Sequence, residues 1–451
     1  MIIHESNIAK IYSYIASLIF VRIMPKHLTF LVQAAIFYTF FNEYKDLILT
    51  TDTRHSKRLT LTIFLLCFGY FIDFYDLTIF SASYTNVIKD LFHIYNNIEI
   101  QSLYLTISNY YTAGIILGAI TFGILGDKFG RSYIIRYSIL IYSIAIILSV
   151  FTKSIIFFTL LRFVSGFGLA TEFATSSVLI AELLSTKHAT AATKLLYLSG
   201  VLGGICAVYI GHIFSWKTMF LFGGLIGIVL YALRMHILES RLFLLISQHS
   251  RGDILSLIKT PGQIIKLLKL FILIIPFNFI ISVMFMLPSF MPISFGLEKA
   301  IAILLIAFFL GNSVSTFFCS YVVNYFNDYR SFIWLTLLIF LAFVPAFMLV
   351  TNRIFFIYNF GLGLIGGGLP TIWIQMIGKE YSTHIRSTAS NTLYAMGRCS
   401  AFGFNLFFLS WIKQRHVFIT NTLICIFVIS LLSAIVLLTS KNTYNKDLQT
   451  I

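Results

Sequence analysis

Windows of roughly 20 apolar residues, the length a helix needs to cross the hydrocarbon core of a bilayer, recur along almost the whole chain. They lie near 59–81, 103–124, 133–152, 155–180, 190–213, 217–237, 268–291, 300–322, 332–351, 354–376, 386–410 and 417–439. A soluble fold could not hide that much apolar surface: 58% of the 451 residues are hydrophobic and 11% charged, outside the composition of ordinary globular domains. The windows exceed strand length and few Gly/Pro clusters interrupt them, which argues against a closed β-barrel. The expectation is an all-α membrane protein of twelve helices.

The net charge of +15 raises nucleic acid as a partner, but its location removes the need for one. If the segment before residue 59 is cytoplasmic, the connections on that side (44–58, 126–136, 182–194, 234–269, 324–331, 378–386 and 440–451) carry 20 Lys and Arg. The opposite side carries seven: Lys89, Lys153, Lys217, Lys299, Arg353, Lys413 and Arg415. Excess cation on one side marks the cytoplasmic face, so both termini are expected inside a multi-pass cell-membrane protein. The five cysteines are scattered singly through the spans and suggest neither disulfides nor a metal site. Residues 8–41 fit either a short hairpin into the bilayer or an amphipathic surface segment, and their short halves favour the latter. Arg22, Pro25, Lys26 and His27 break the first apolar run, which lacks a clear cleavage site for a signal peptide.

Sliding the chain against itself by 197 residues aligns "STKHATAATKLLYLSG" (185–200) with "STHIRSTASNTLYAMG" (382–397) and pairs Asp127 with Asn324, Phe129 with Phe326 and Gly166 with Gly363. The matches fall in equivalent loops and helix starts, so the duplication is taken as real. The expected organisation is an N-terminal extension (1–58), a six-helix half (59–237), a basic linker (238–267), a second six-helix half (268–439) and a tail (440–451). Parallel six-span repeats joined by such a linker form a transporter architecture with the substrate held between the halves.

After the second span the chain reads "GILGDKFGRS". Gly123 and Gly126 allow close helix approach, and Asp127 and Arg131 place opposite charges one turn apart. Gly123, Leu125, Asp127, Gly130 and Arg131 match the G-x-L-x-D-x-x-G-R signature of the major facilitator superfamily, which this chain resembles. Arg162, Gly166, Gly168, Glu172 and Glu182 resemble the family's fourth span. "ESRLF" (239–243) resembles its linker start, and Glu380, Thr383 and Arg386 resemble its motif after the tenth span, with the usual prolines missing. His188-Ala189 stands where an Arg-Gly pair is common. Asp73, Phe74, Tyr75 and Asp76 in "GYFIDFYDLTIF" resemble the first helix of the metabolite:proton symporters within that superfamily. The resemblance covers nearly the whole chain from about residue 59. It implies a twelve-helix major facilitator fold, two six-helix halves around a central cavity, importing organic acids, amino acids, betaines or related metabolites with protons. It further implies gating roles for Gly123, Gly126, Asp127, Gly130, Arg131, Glu182, Glu380 and Arg386. The fifth span lacks the Gly-Pro of antiporters, which favours import over efflux.

Two carboxylates inside an apolar span need a cavity or a partner, because a charged group at a membrane helix centre costs at least ~2.5 kcal/mol. Asp73 and Asp76 share one helical face. Arg162, roughly 10 Å below the outer surface at 1.5 Å per residue, is expected to pair with at least one of them. Glu172 lies about 15 Å deeper along the fourth span, where burial favours its neutral form, and it competes with the aspartates as the proton site. The alternative is that all three are fixed structural groups. Arg398 is the only basic residue deep in the second half; it is either a carboxylate clamp or a cation satisfied by backbone carbonyls or by snorkelling. Tyr75 and Tyr394 join it as substrate-contact candidates, and Tyr70, Tyr110, Tyr111 and Trp373 are possible pocket linings.

The ten histidines form no H-x-x-x-H or similar cluster, so no enzyme and no cofactor is expected. The partners are a small-molecule substrate, protons and lipid, and the protein is expected to work as a monomer. The alternatives are a sugar or other solute uniporter, an efflux transporter of the same fold, or a transporter-like sensor.

Overall fold

The computed structural model describes residues 53–211, 213–245, 261–286, 297–343, 355–411 and 415–443. The ambiguous stretch 8–41 lies outside them, as do 246–260 of the linker and 344–354 at the end of the ninth window. The described residues contain helices and no strand. In chain order the helices are α1 (Thr53–Phe92), α2 (Asn97–Phe129), α3 (Arg131–Phe151), α4 (Ile155–Leu169), α5 (Ala174–Leu183), α6 (Thr186–Gly211), α7 (Trp216–Leu233) and a short α8 (Arg241–Leu244). They continue with α9 (Pro261–Met286), α10 (Leu297–Phe326), α11 (Tyr329–Phe343), α12 (Phe355–Gly366), α13 (Leu369–Glu380), α14 (Arg386–Trp411) and α15 (Arg415–Thr439). Two expected spans are each broken in the middle, so α4 with α5 and α12 with α13 each make one crossing.

Among the described residues, ten segments are long and apolar enough to cross a membrane. The other two are α11, which is shorter, and α14, whose Arg386, Arg398, Asn391 and serines lower its apolar content. The described helices make twelve crossings, and the protein is an all-α membrane protein. The linker expected at 238–267 already contains the first turns of α9 from Pro261.

Residues Arg58–Ile451 form one compact unit. Within it α2 packs on α4 through glycines, Gly114 against the Phe163 carbonyl and Gly166 against the Tyr111 carbonyl. Gly311 and Gly363 meet Phe360 and Phe308 in the same way between α10 and α12. All four contacts obey the 197-residue offset. Small residues let backbones meet where lipid supplies no hydrophobic drive to associate. Span-embedded hydroxyls such as Ser83, Ser143, Ser313 and Thr316 donate to the carbonyl four residues back, which satisfies them without water. The first six spans meet the last six mainly where α2 lies on α14 and α6 on α10. The helix ends Phe129, Glu380 and Arg386 define one face of the bundle; the ends Phe92, Asn97 and Trp411 define the opposite face.

Candidate functional site

A cavity of about 400 Å³ opens between the two sets of six spans. Its lining runs along α1 from Tyr70 to Tyr84, α2 from Tyr104 to Thr112, α9 from Ile274 to Met284 and α14 from Tyr394 to Phe402. Those stretches occupy the middle of the bundle and the half toward the Phe92 face. Near the base of the cavity Tyr70 stacks on Phe173 at 4.8 Å, and Phe173 lies 6.2 Å from Tyr394.

Arg162 and Arg398 are the two charged residues in that lining. The Arg162 guanidinium donates to both carboxylate oxygens of Asp76, at 2.9 and 3.0 Å, with both side chains buried. It also lies over the Tyr111 and Phe80 rings, at 4.5 and 4.9 Å. Of the two aspartates on α1, Asp76 therefore takes the arginine. Asp73, also buried, makes no hydrogen bond or ion pair among the described residues. Arg398 is half-buried and donates to the Tyr394 hydroxyl at 2.6 and 3.2 Å, with no carboxylate in ion-pairing distance among the described residues.

Glu172, a competing candidate for the proton site, is held in an ion pair. It sits in the Ala170–Phe173 break between α4 and α5 and accepts two bonds from Arg234, at 2.8 and 2.7 Å, both groups fully buried. Arg234 also donates to the Ile135 and Leu65 carbonyls. Arg234 stands at the end of the sixth span and counted as a loop cation in the sequence; its burial corrects that. The missed signal was chemical: a carboxylate inside a span requires a cation, and Arg234 ends a neighbouring span.

The glycine signature builds a latch on the Phe129 face. Asp127 accepts from the Ser387 and Thr388 backbone N–H groups, at 3.2 and 2.6 Å, and from the Thr388 hydroxyl at 2.7 Å. A carboxylate at those positions satisfies the free N–H groups of α14 and complements its dipole. Arg131 contacts Asp127 at 2.9 Å, Glu182 at 3.3 Å and the Thr383 carbonyl at 2.6 Å. Glu182 also holds Arg386 at 3.0 Å. Gly123 and Gly126 let α2 approach Asn391 and Ser387. Gly130 has φ +112°, and a Cβ there would strike the Glu239 carboxylate, which accepts from the Ser132 N–H and hydroxyl at the start of α3. Asn391, not singled out in the sequence, adds a bond to Thr175 at 2.9 Å.

Three expectations are corrected. Tyr75 does not line the cavity; its hydroxyl donates to the Met219 carbonyl on α7 at 3.2 Å. Glu380 lies outside the latch cluster, 3.6 Å from Lys266 and partly exposed. Tyr110 is exposed, whereas Tyr70, Tyr111, Trp373 and Tyr394 do line the cavity.

The sequence pattern of the Major Facilitator Superfamily matches residues 66–403. The chain belongs to this family. It is 26% identical over 389 residues to a "putative metabolite transport protein" of Haemophilus influenzae, covering 82% of this chain and 93% of that one. It is 22% identical over 287 residues to the sialic acid transporter NanX of Escherichia coli, covering 62% of this chain and 71% of that one. Among solved structures, the proton:xylose symporter XylE matches with a TM-score of 0.69 at 15% identity, covering 85% of this chain and 95% of that one. That likeness concerns the fold. This major facilitator chain is thus a multi-pass membrane transporter of small molecules, not an enzyme, closed at the latch and open at the cavity.

Proposed function

We propose that this transporter imports a small carboxylate-bearing metabolite together with protons by alternating access. The observation that carries the reading is Arg398, a cation on the cavity wall held by a tyrosine hydroxyl, with no carboxylate in ion-pairing distance among the described residues. A neutral substrate would give it no ion-pairing partner, whereas a carboxylate can form charge-assisted bonds with it. The sialic acid transporter among the relatives agrees with that class.

In this reading the cation excess puts the latch face and both termini on the cytoplasmic side of a bacterial inner membrane, and the cavity opens outward. The halves 59–237 and 268–439 then rock about the cavity as two bodies, with one complete pathway per chain and a monomer as the working unit. Release of Asp127 and Glu182 from their partners across the halves opens the inner side.

The test is uptake of radiolabelled amino acids, betaines, organic acids and sugars into proteoliposomes, with and without an inward proton gradient. One acid-bearing solute should be concentrated by the gradient. Arg398→Gln should weaken its half-saturation ~30-fold, for a lost charged hydrogen bond of about 2 kcal/mol. Gradient-driven uptake of a neutral sugar with unchanged affinity in Arg398→Gln would sink the proposal.

A further inference from the structure

The charges on the cavity wall limit those its cargo can carry. Arg162 and Arg398 are the two charged residues of the lining, and Arg162 is already matched by both oxygens of Asp76. One cation remains. A second carboxylate on the cargo would find no ion-pairing partner among the described lining residues, and an ammonium group would find none either, because no Asp or Glu belongs to that lining. Burying an unmatched charge is costly, so the cargo that fits carries a single negative charge.

Nearly half of the lining residues are aromatic, against 17% of the chain. At the base of the cavity the rings come from both halves: Phe74 of α1 meets Phe309 of α10 at 6.1 Å, and Phe173 meets Tyr197 of α6 at 6.1 Å and Tyr394 of α14 at 6.2 Å. Glycines of α6 seat two of these rings. A Cβ on Gly200 would lie 2.7 Å from the Tyr70 ring, and one on Gly204 would lie 2.6 Å from that of Phe309. Rings held against backbone are preorganised for a flat partner. Tyr394 joins the cation to the rings, because its hydroxyl accepts from Arg398 at 2.6 Å while its ring contacts Phe173.

Much of the polar capacity of the wall is spent within the protein. Trp373 donates its indole N–H to the Leu270 carbonyl, Tyr104 its hydroxyl to Ser81, and Asn278 an amide N–H to the Ile274 carbonyl. Such a wall returns little to a polyhydroxylated cargo that gives up its water. The Thr78 and Tyr197 hydroxyls are buried in the wall with no partner among the described residues, and each can donate to a cargo oxygen.

We propose that the cargo is an aromatic monocarboxylate without an ammonium group, its carboxylate on Arg398 and its ring against the aromatic base of the cavity. This rests on the carboxylate-importer reading above and narrows it. The cavity volume of about 400 Å³ falls within the roughly 300–1,000 Å³ typical of small-molecule sites.

The experiment is isothermal titration calorimetry on the full chain in detergent, which avoids the passive leak of weak acids through vesicles. The probes differ pairwise in one feature: benzoate and cyclohexanecarboxylate in aromaticity, benzoate and terephthalate in a second carboxylate, phenylpropanoate and phenylalanine in an ammonium group. Benzoate should bind ~2- to 10-fold more tightly than cyclohexanecarboxylate, because an aromatic contact adds about 0.5–1.5 kcal/mol to area burial. The saturated ring is the more hydrophobic, so a wall that is merely apolar would reverse that order. Terephthalate and phenylalanine should show no binding at concentrations that saturate their partners. Arg398→Gln should weaken benzoate and cyclohexanecarboxylate by the same ~30-fold factor and leave their ratio unchanged. Equal or tighter binding of cyclohexanecarboxylate, or binding of terephthalate or phenylalanine as tight as that of their partners, would overturn the proposal and leave the importer reading standing. Binding of a non-aromatic acid from the uptake panel with none of benzoate would do the same. Benzoate binding untouched by Arg398→Gln, or no binding of any carboxylate, would overturn both. The pairwise comparison uses the wild-type chain, so misfolding of Arg398→Gln cannot mask the answer.

Discussion

Superimposed through the 197-residue offset, the two halves of the molecule share a backbone and differ in what they bury. Helix α2 ends at Phe129 and α10 at Phe326; α5 ends at Leu183 and α13 at Glu380. The break at Ala170 has its counterpart at Gly367, and the positive φ of Gly130 recurs at Asn327. The charges do not repeat. Asp73, Asp76, Arg162, Glu172 and Arg234 of the first half correspond to Leu270, Leu273, Asn359, Leu369 and Leu431 of the second, and Arg398 corresponds to Val201. The difference teaches that glycine contacts and helix breaks recur in both halves, while the fully buried ion pairs Arg162–Asp76 and Arg234–Glu172 have no counterpart in the second.

The largest effect should come from breaking the ion pair that has no counterpart. Arg162→Ala leaves Asp76 buried without a partner and should cost about 3–5 kcal/mol, read as a lower unfolding temperature of the full chain in detergent together with lost transport. At the corresponding position Asn359→Leu should be neutral or stabilising, because both amide atoms of Asn359 are buried without a partner among the described residues. An equally damaging Asn359→Leu would show that the second half hides a polar network of its own, and the contrast would fail.

Next in size are Glu172→Gln and Gly69→Ala, two routes to the same pair. The first removes the charge that compensates Arg234. The second adds a Cβ that meets both Arg234 and Glu172. Each is expected to cost about 3 kcal/mol by the same reasoning for unpaired buried charge, and to the same extent in thermal unfolding. The counterpart of Gly69 is Lys266, which is partly exposed, so Lys266→Ala should change stability little.

Much of this was legible in the sequence, and the failures have a common cause. Apolar windows and the repeat located all twelve crossings, because helix length and hydrophobicity are local properties. Pairing of Arg162 with an aspartate followed from depth along two helices. What periodicity could not supply was the partner of a charge on another helix. Arg234 looked like a loop cation because it ends an apolar run, and Glu172 consequently looked free. Tyr75 looked like a cavity residue beside its motif neighbours, but one step along α1 turns a side chain by about 100°, and Tyr75 faces α7. Glu380 matched a motif while its side chain lies outside the latch, because the Glu182 carboxylate already serves both Arg131 and Arg386.

The backbone counterparts Gly130 and Asn327 sharpen the comparison further. Gly130, at φ +112° and ψ 149°, occupies a region that is almost glycine-only, so Gly130→Ala should cost about 2 kcal/mol from backbone strain, with crowding of Glu239 added. Asn327, at φ +50°, lies in the left-handed region that asparagine tolerates; Asn327→Ala should cost about 1 kcal/mol and Asn327→Gly almost nothing. Thermal unfolding of the three variants checks the order.

A small effect on stability, and the most informative about function, should come from Asp127→Asn, which gives the first half the residue that the second half already has at Asn324 and leaves Arg131 its contact with Glu182. The new amide oxygen can still accept from the Ser387 or Thr388 N–H, so the hydrogen-bonded cap is only partly lost. What disappears is the negative charge between the start of α14 and Arg131, and charge at a helix N-terminus is worth about 1 kcal/mol. The fold survives that loss. The latch does not keep its full bias, because the charge acts between the halves and is effective only while they are closed on the Phe129 face. About 1 kcal/mol moves a two-state population ~5-fold, so spin labels on α2 and α14 at that face should show the separated population rising by that factor, with unfolding temperature nearly unchanged. An unaltered distance distribution would mean that Glu182 and its two arginines hold the face closed without Asp127, and that the asymmetry between Asp127 and Asn324 has no part in gating.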